Sequence, residues 1–250
     1  MCYERDAKPP SAGRPQTGIT AEPVVLTSSD GASFAAYLAQ PLENPAAGVL
    51  VQTDNKGLSG FYEQLCQRLA EQGHPALAID FFGRTAGVDY PHHGDIWPHL
   101  RALTRDGIFA DMRAGIAKLR EIGCQTVVSL GFCMGGRFAF YTALPEFGVA
   151  GVIGLYGFPG ELNGKPGPTQ EAAGFRVPIL GLFGGADDGI GPDVIAAFDQ
   201  ALETEHEFIV YPGAPHGFFE LDQAEFADAQ QDAWRRILDF LRRRIRPVSA

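Results

Sequence analysis

The stretch TVVSLGFCMGGRFAF, residues 126–140, runs from an apolar segment into a helical pattern through Gly131-Phe132-Cys133-Met134-Gly135. A strand that meets a helix in so short a turn leaves room only for glycine on either side of the apex, because a side chain there would strike the neighbouring strand or helix. The residue at the apex is lifted clear of the sheet in strained backbone geometry, and here it is a thiol. The pattern is a nucleophile elbow with cysteine where serine is usual. The helix that starts at this point turns the positive end of its dipole toward the sulfur, which favours thiolate over thiol.

Strand-like apolar runs recur on both sides of this elbow, at 23–28, 33–39, 48–53, 76–80, 151–156, 178–183 and 207–211, each bounded by Gly, Pro, Asp or Asn. Helical spacing predicts helices over 60–72, with Leu65, Leu69 and Ala70 on one face, and over 108–122, with Ile108, Met112, Ile116 and Leu119. Further helices are predicted near 135–144, 190–203 and 224–245. An initial pair of strands followed by alternating strands and helices implies a doubly wound α/β fold. Its sheet is mostly parallel, is flanked by helices on both faces and carries an antiparallel hairpin at its start. The segment from Gly83 to Arg105 is long for a connection, and its Tyr90, Trp97 and His99 are expected either to overhang the site or to pin the loop to the body.

Length and composition bound the rest. A chain of 250 residues with a hydrophobic fraction of 45% and a charged fraction of 20% is expected to form one soluble domain, over 21–246, behind a flexible extension at 1–20. That extension lacks the apolar stretch of a secretory signal, and no apolar run is long enough to span a bilayer, so a cytoplasmic location is expected and a membrane partner is not. A formal charge of -10 argues against a nucleic-acid partner. The basic cluster Arg235, Arg236, Arg242, Arg243, Arg244 and Arg246 reads as a solvated face of the last helix. Cys2, Cys66, Cys124 and Cys133 form no CxxC pair, which argues against a zinc ribbon or a disulfide scaffold, and Cys66 and Cys124 read as inert core residues. His92, His93 and His99 match no standard ligand spacing, so neither a metal nor another cofactor is expected. The sequence leaves the oligomeric state open.

A thiol nucleophile needs a base, and the base needs an orienting acceptor. The run 178–183 ends in Gly184-Gly185-Ala186-Asp187-Asp188-Gly189, and the run 207–211 ends in Pro212-Gly213-Ala214-Pro215-His216-Gly217. Both lie at strand C-termini, where ligands bind in such sheets. The order nucleophile, acid, histidine makes Cys133 and His216 the candidate catalytic pair, with Asp187 or Asp188 as the acid.

These residues resemble the dienelactone hydrolase family over about residues 22–243. The resemblance rests on Gly131-Phe132-Cys133-Met134-Gly135-Gly136, on the aspartate after a Gly-Gly turn and on Pro215-His216-Gly217-Phe218-Phe219. Two further segments are similar: Ala78-Ile79-Asp80-Phe81-Phe82-Gly83-Arg84 and Gln52-Thr53-Asp54-Asn55-Lys56-Gly57-Leu58. The resemblance implies an α/β-hydrolase fold, selects Asp187 as the acid, and implies an oxyanion hole from the backbone N–H groups of Asn55 and Met134. It places Asp54 where the family's thiol-contacting glutamate stands and makes Arg84 the arginine that binds the substrate carboxylate. A second such arginine, four residues after the histidine, reads Glu220 here. The implied activity is hydrolysis of a lactone or ester of a small carboxylate-bearing substrate through a thioester. Uncharged esters or lactones are the alternative that Glu220 favours, and a redox-sensing or ligand-binding module on the same fold is the non-enzyme alternative.

Overall fold

The computed structural model describes residues 7–10, 13–42, 47–221 and 224–244. Its strands are β1 (Ile19–Thr27), β2 (Ser33–Pro41), β3 (Gly48–Gln52), β4 (Ala76–Ile79), β5 (Val127–Phe132), β6 (Gly151–Leu155), β7 (Ile179–Gly184) and β8 (His206–Tyr211). The helices are α1 (Gly60–Glu71), α2 (Gly83–Ala86), α3 (Trp97–Ala102), α4 (Arg105–Glu121), α5 (Met134–Tyr141), α6 (Pro168–Glu171), α7 (Pro192–Ala201) and α8 (Ala227–Arg244). The strands form one sheet in the order β1-β2-β4-β3-β5-β6-β7-β8. β1 and β2 pair antiparallel, β2 joins β4 antiparallel, and every later pairing is parallel.

The central strands β3, β5, β6 and β7 are buried along their whole length, as strands covered on both faces must be. That is why they read as continuous apolar runs. β1, at one edge, is largely exposed. α1 buries Phe61, Tyr62, Leu65, Cys66, Leu69 and Ala70, one face at three-to-four spacing. α4 begins three residues earlier than its apolar pattern, because the Thr104 side chain caps it by accepting the Gly107 N–H at 3.2 Å.

One expectation changes. The described residues among the first 20 are not one loose extension: Ala7, Pro9 and Pro10 are buried, Gln16 donates its N–H to the Glu71 carbonyl at 2.8 Å, and β1 already begins at Ile19. Apolar side chains and a backbone hydrogen bond hold these residues to the body despite their Pro and Gly content. The basic face of α8 is exposed at Arg235, Arg242 and Arg243, as expected, and carries ion pairs of Arg235 and Arg236 with Asp232, Arg242 with Asp239 and Arg244 with Glu205. Cys2 and Arg246 lie outside the described residues. No helix among the described residues is long and apolar enough to cross a membrane.

The chain steps from β3 to β4 on one side and then returns to β5 on the other. The strand order therefore reverses at β3, and the crevice at this reversal lies past the C-terminal ends of β3 and β5. The register Gln52↔Gly131 brings the loop after β3 beside the elbow after β5. β6, β7 and β8 follow in order on the far side of β5, so the residues after them reach the same edge of the sheet.

Candidate active site

Cys133 joins β5 to α5 with φ 54° and ψ -115°, a conformation few non-glycine residues adopt. Its neighbours show why the glycines are there. A Cβ on Gly131 would lie 2.1 Å from the Gly135 carbonyl oxygen, one on Gly135 would lie 2.3 Å from the carbonyl oxygens of Gln52 and Thr53, and one on Gly136 would lie 2.6 Å from that of Leu155. All are backbone atoms, so no side-chain adjustment relieves them. The Cys133 N–H bonds to the Leu155 carbonyl at 3.0 Å and its carbonyl accepts the Arg137 N–H at 3.1 Å, anchoring the turn to β6 and to the first turn of α5. The sulfur is half-buried. Cys66 and Cys124 are buried instead, and burial pushes both thiols up, that of Cys124 to about 11. Thiolate character is thus suppressed at both.

The loops after β7 and β8 are tied together by hydrogen bonds from Gly185 N–H to the Tyr211 carbonyl at 2.8 Å and from Ala186 N–H to the Ala214 carbonyl at 2.9 Å. This brings His216 Nδ1 to 2.7 Å from Asp187 Oδ2. Asp187 also accepts the Gly189 N–H at 2.9 Å, and its side chain is almost fully buried while that of His216 is one-third exposed. Burial pushes the Asp187 carboxyl up. The hydrogen bond and charge of His216, with the N–H groups of Gly189 and Ile190, outweigh it and hold the carboxyl below its ordinary value. Asp188 is exposed. A carboxylate on Nδ1 fixes the proton there and leaves Nε2 as the base.

The remaining sequence candidates divide. Met134 is the first residue of α5, so its N–H has no carbonyl within the helix to bond, and Asn55 lies in the loop after β3 beside the elbow. Asp54 is fully buried, donates its N–H to Tyr62 Oη at 2.9 Å, and accepts the Lys56 N–H on Oδ1 at 2.8 Å. Glu220 is fully buried as well, turned inward to accept the Tyr62 hydroxyl on Oε1.

Arg84 is the correction. Its guanidinium donates from Nε and Nη2 to Asp111 at 2.9 and 2.8 Å, and from Nη1 and Nη2 to Asp30 at 2.7 and 3.2 Å. Two carboxylates with bidentate geometry outcompete any mobile anion for these donors. The residue therefore clamps the β1–β2 turn to α4 rather than facing a substrate.

In the long loop, Trp97 is 60% exposed, Tyr90 packs on the core where Glu63 and Cys66 of α1 influence its phenol, and His99 bonds to Thr85 Oγ1 at 2.9 Å. Tyr90 thus pins the loop to the body, while the His99 bond ties two parts of the loop to each other. The main anchor is His92, whose Nε2 lies 2.8 Å from Asp80 Oδ2. That hydrogen bond outweighs burial and raises the His92 pKa. A raised histidine pKa contributes stability that is fully present below the ordinary value and is lost as pH rises through the shifted one. Thermal unfolding of His92→Asn beside the wild type is expected to show a larger loss of Tm at about pH 6 than at about pH 9, by a few degrees. Equal losses at both would contradict the pairing.

Sequence reading missed Tyr156. It follows β6 with φ 38° and is fully buried, and its ring meets that of His216 edge-on with centroids 5.2 Å apart. Its position directly after a strand next to β5 was the available signal.

Comparison with known proteins agrees with this fold. The model of the dienelactone hydrolase family matches residues 34–245. A Saccharolobus solfataricus protein named "Putative carboxymethylenebutenolidase" is 30% identical over 89% of this chain and 98% of its own. A Methylorubrum extorquens protein of the same name is 31% identical over 90% and 81%. The crystal structure of a "Putative Dienelactone Hydrolase" from Klebsiella pneumoniae superposes with a TM-score of 0.74 at 26% identity, covering 90% of this chain and 99% of that one. With the family model matched over most of its length and a mostly parallel sheet flanked by helices, the chain belongs to the dienelactone hydrolase family of α/β-hydrolase-fold lactone and ester hydrolases.

Proposed function

We propose that this hydrolase works by covalent catalysis at Cys133. His216 Nε2 takes the proton of the Cys133 thiol, the resulting thiolate attacks the carbonyl of a small lactone or ester, and the N–H groups of Met134 and Asn55 donate to the oxyanion that forms. The tetrahedral adduct collapses to a thioester as the alkoxide leaves and takes a proton from His216. His216 Nε2 then deprotonates a water that attacks the thioester, releasing the carboxylic acid and the thiol. Asp187 holds the imidazole in the required tautomer throughout. The observation that carries this reading is the 2.7 Å bond between His216 and Asp187 at the same sheet edge as a cysteine in strained geometry. A sensor cysteine has no need of an oriented base.

The sequence favoured a carboxylate-bearing substrate because of Arg84. The occupation of that guanidinium by Asp30 and Asp111 favours uncharged esters or lactones instead. Arg84→Ala is accordingly expected to destabilise the fold by about 2 kcal/mol, less than a fully buried pair would cost, because Asp111 loses its partner in the interior. Urea unfolding measures this, and KM for an anionic substrate is expected to change little.

The test of the whole reading is the initial rate on dienelactone and on a neutral aryl acetate, for wild type and Cys133→Ala. Turnover of the acetate that vanishes in the variant supports a cysteine hydrolase of neutral esters. Fast dienelactone turnover with the same dependence restores the anionic substrate. Rates equal in both proteins would exclude Cys133 as the nucleophile.

A further inference from the structure

The loop after β3 carries Asn55, and both of its ends rest on the C-terminal end of β4. At its start the Thr53 hydroxyl donates to the Ile79 carbonyl at 3.3 Å, and the first turn of α5 packs on the Gln52 and Thr53 carbonyls. At its far end the Leu58 N–H donates to Asp80 Oδ1 at 3.1 Å. Gly57 has φ 82°, and a Cβ there would lie 2.6 Å from the same oxygen, so the loop backbone approaches the carboxyl too closely for a side chain. Between the two ends the Gly57 N–H bonds to the Asp54 carbonyl at 3.3 Å and the Lys56 N–H to Asp54 Oδ1 at 2.8 Å. These bonds stiffen the turn, so a shift at Leu58 is passed on to Asn55 rather than absorbed. Asp80 is itself fully buried, and its N–H is fixed to the Ala35 carbonyl of β2 at 2.9 Å.

The other oxygen of Asp80 faces the long loop. Oδ2 accepts the Phe82 N–H at 3.1 Å and lies 2.8 Å from His92 Nε2. A carboxylate only accepts, so the ring carries a proton on Nε2 and donates it. The His92 side chain is 9% exposed, and its ring meets that of Phe82 edge-on with centroids 5.6 Å apart, so packing and the hydrogen bond hold it together. One buried carboxyl thus joins the loop after β3, the end of β4 and the long loop. Leaving such a group short of a donor in the interior is costly, so it turns when one donor is lost. We propose that Asp80 and His92 are positioning residues for the oxyanion hole: His92 orients the Asp80 carboxylate, and the carboxylate holds the loop that carries Asn55 against the elbow. The pair stands apart from His216 and Asp187 and touches no reacting atom. The proposal rests on the assignment of Asn55 as an oxyanion donor, but the anchoring of the loop is measured without turnover.

The experiment compares wild type with His92→Phe, His92→Gln and Asp80→Asn by two readouts. One is amide hydrogen exchange of the peptide spanning residues 54–58, read by mass spectrometry, and the other is kcat and KM on a neutral aryl acetate. Phenylalanine keeps a ring beside Phe82 and removes the donor, whereas the glutamine amide brings an N–H close to where Nε2 stood. His92→Phe is expected to speed exchange in the loop by about fivefold or more. It is expected to lower kcat by about tenfold with KM changed by less than about twofold, because a displaced oxyanion donor weakens the transition state and not the bound substrate. His92→Gln is expected to recover most of both losses. Asp80→Asn offers one acceptor oxygen in place of two and is expected to match or exceed His92→Phe. Because that buried change could fail to fold, the two His92 variants decide. Unchanged exchange in His92→Phe, no recovery in His92→Gln, or a rise in KM with kcat unchanged would overturn the proposal. If exchange rises in His92→Phe while kcat and KM both stay at the wild-type values, the Asn55 assignment fails and the anchoring of the loop by Asp80 and His92 stands.

Discussion

Removing the imidazole, as in His216→Ala, is expected to lower kcat by about 10⁴-fold or more with the fold intact. In the proposed mechanism the same nitrogen serves twice, delivering a proton to the leaving alkoxide and taking one from the attacking water. A cysteine keeps some nucleophilic character without a neighbouring base, so acylation suffers less than deacylation. The variant is therefore expected to accumulate acyl-enzyme at short times, which intact-mass spectrometry detects. A near-normal rate with an unchanged circular dichroism spectrum would remove His216 from the mechanism.

The second large effect is structural. Gly135→Ala places a methyl 2.3 Å from two backbone carbonyl oxygens, those of Gln52 and Thr53, at the start of the loop that holds Asp54 and Asn55. Neither oxygen can retreat without moving that loop. The expected cost is about 3 kcal/mol in urea unfolding. Turnover should fall by more than tenfold even under conditions where the variant is folded, because the loop that carries Asn55, one of the two proposed oxyanion donors, is pushed away from the elbow. Wild-type stability in this variant would mean that the close approach is not enforced.

The parts of this molecule legible in its sequence are those written by local rules. Period and punctuation placed all eight strands within a few residues, since central parallel strands are apolar throughout and their ends carry Gly, Pro or Asp. The elbow was legible because glycine on both sides of Cys133 answers a steric demand that no other residue meets. His216 could be named from its place after β8 and the acid narrowed to Asp187 or Asp188 from its place after β7, with the family resemblance choosing Asp187.

What was not legible depends on which groups distant in sequence find one another. Arg84 looked like an anion binder because nothing local shows that Asp30 and Asp111, the latter 27 residues on, close around it. Glu220 was expected to confront the substrate. A hydroxyl 158 residues away, that of Tyr62, holds it turned inward. The same holds for Ala7, Pro9 and Pro10, whose burial is invisible in a segment rich in Pro and Gly.

The most direct test of the account is to quench wild-type enzyme within its first turnovers of an aryl acetate and to map the acetyl group by peptide mass spectrometry. The account predicts acetyl on the peptide containing Cys133, labile to hydroxylamine as a thioester is, and lost from Cys133→Ala. Acetyl on a different residue, or undiminished hydrolysis by Cys133→Ala with no label at that position, would contradict it.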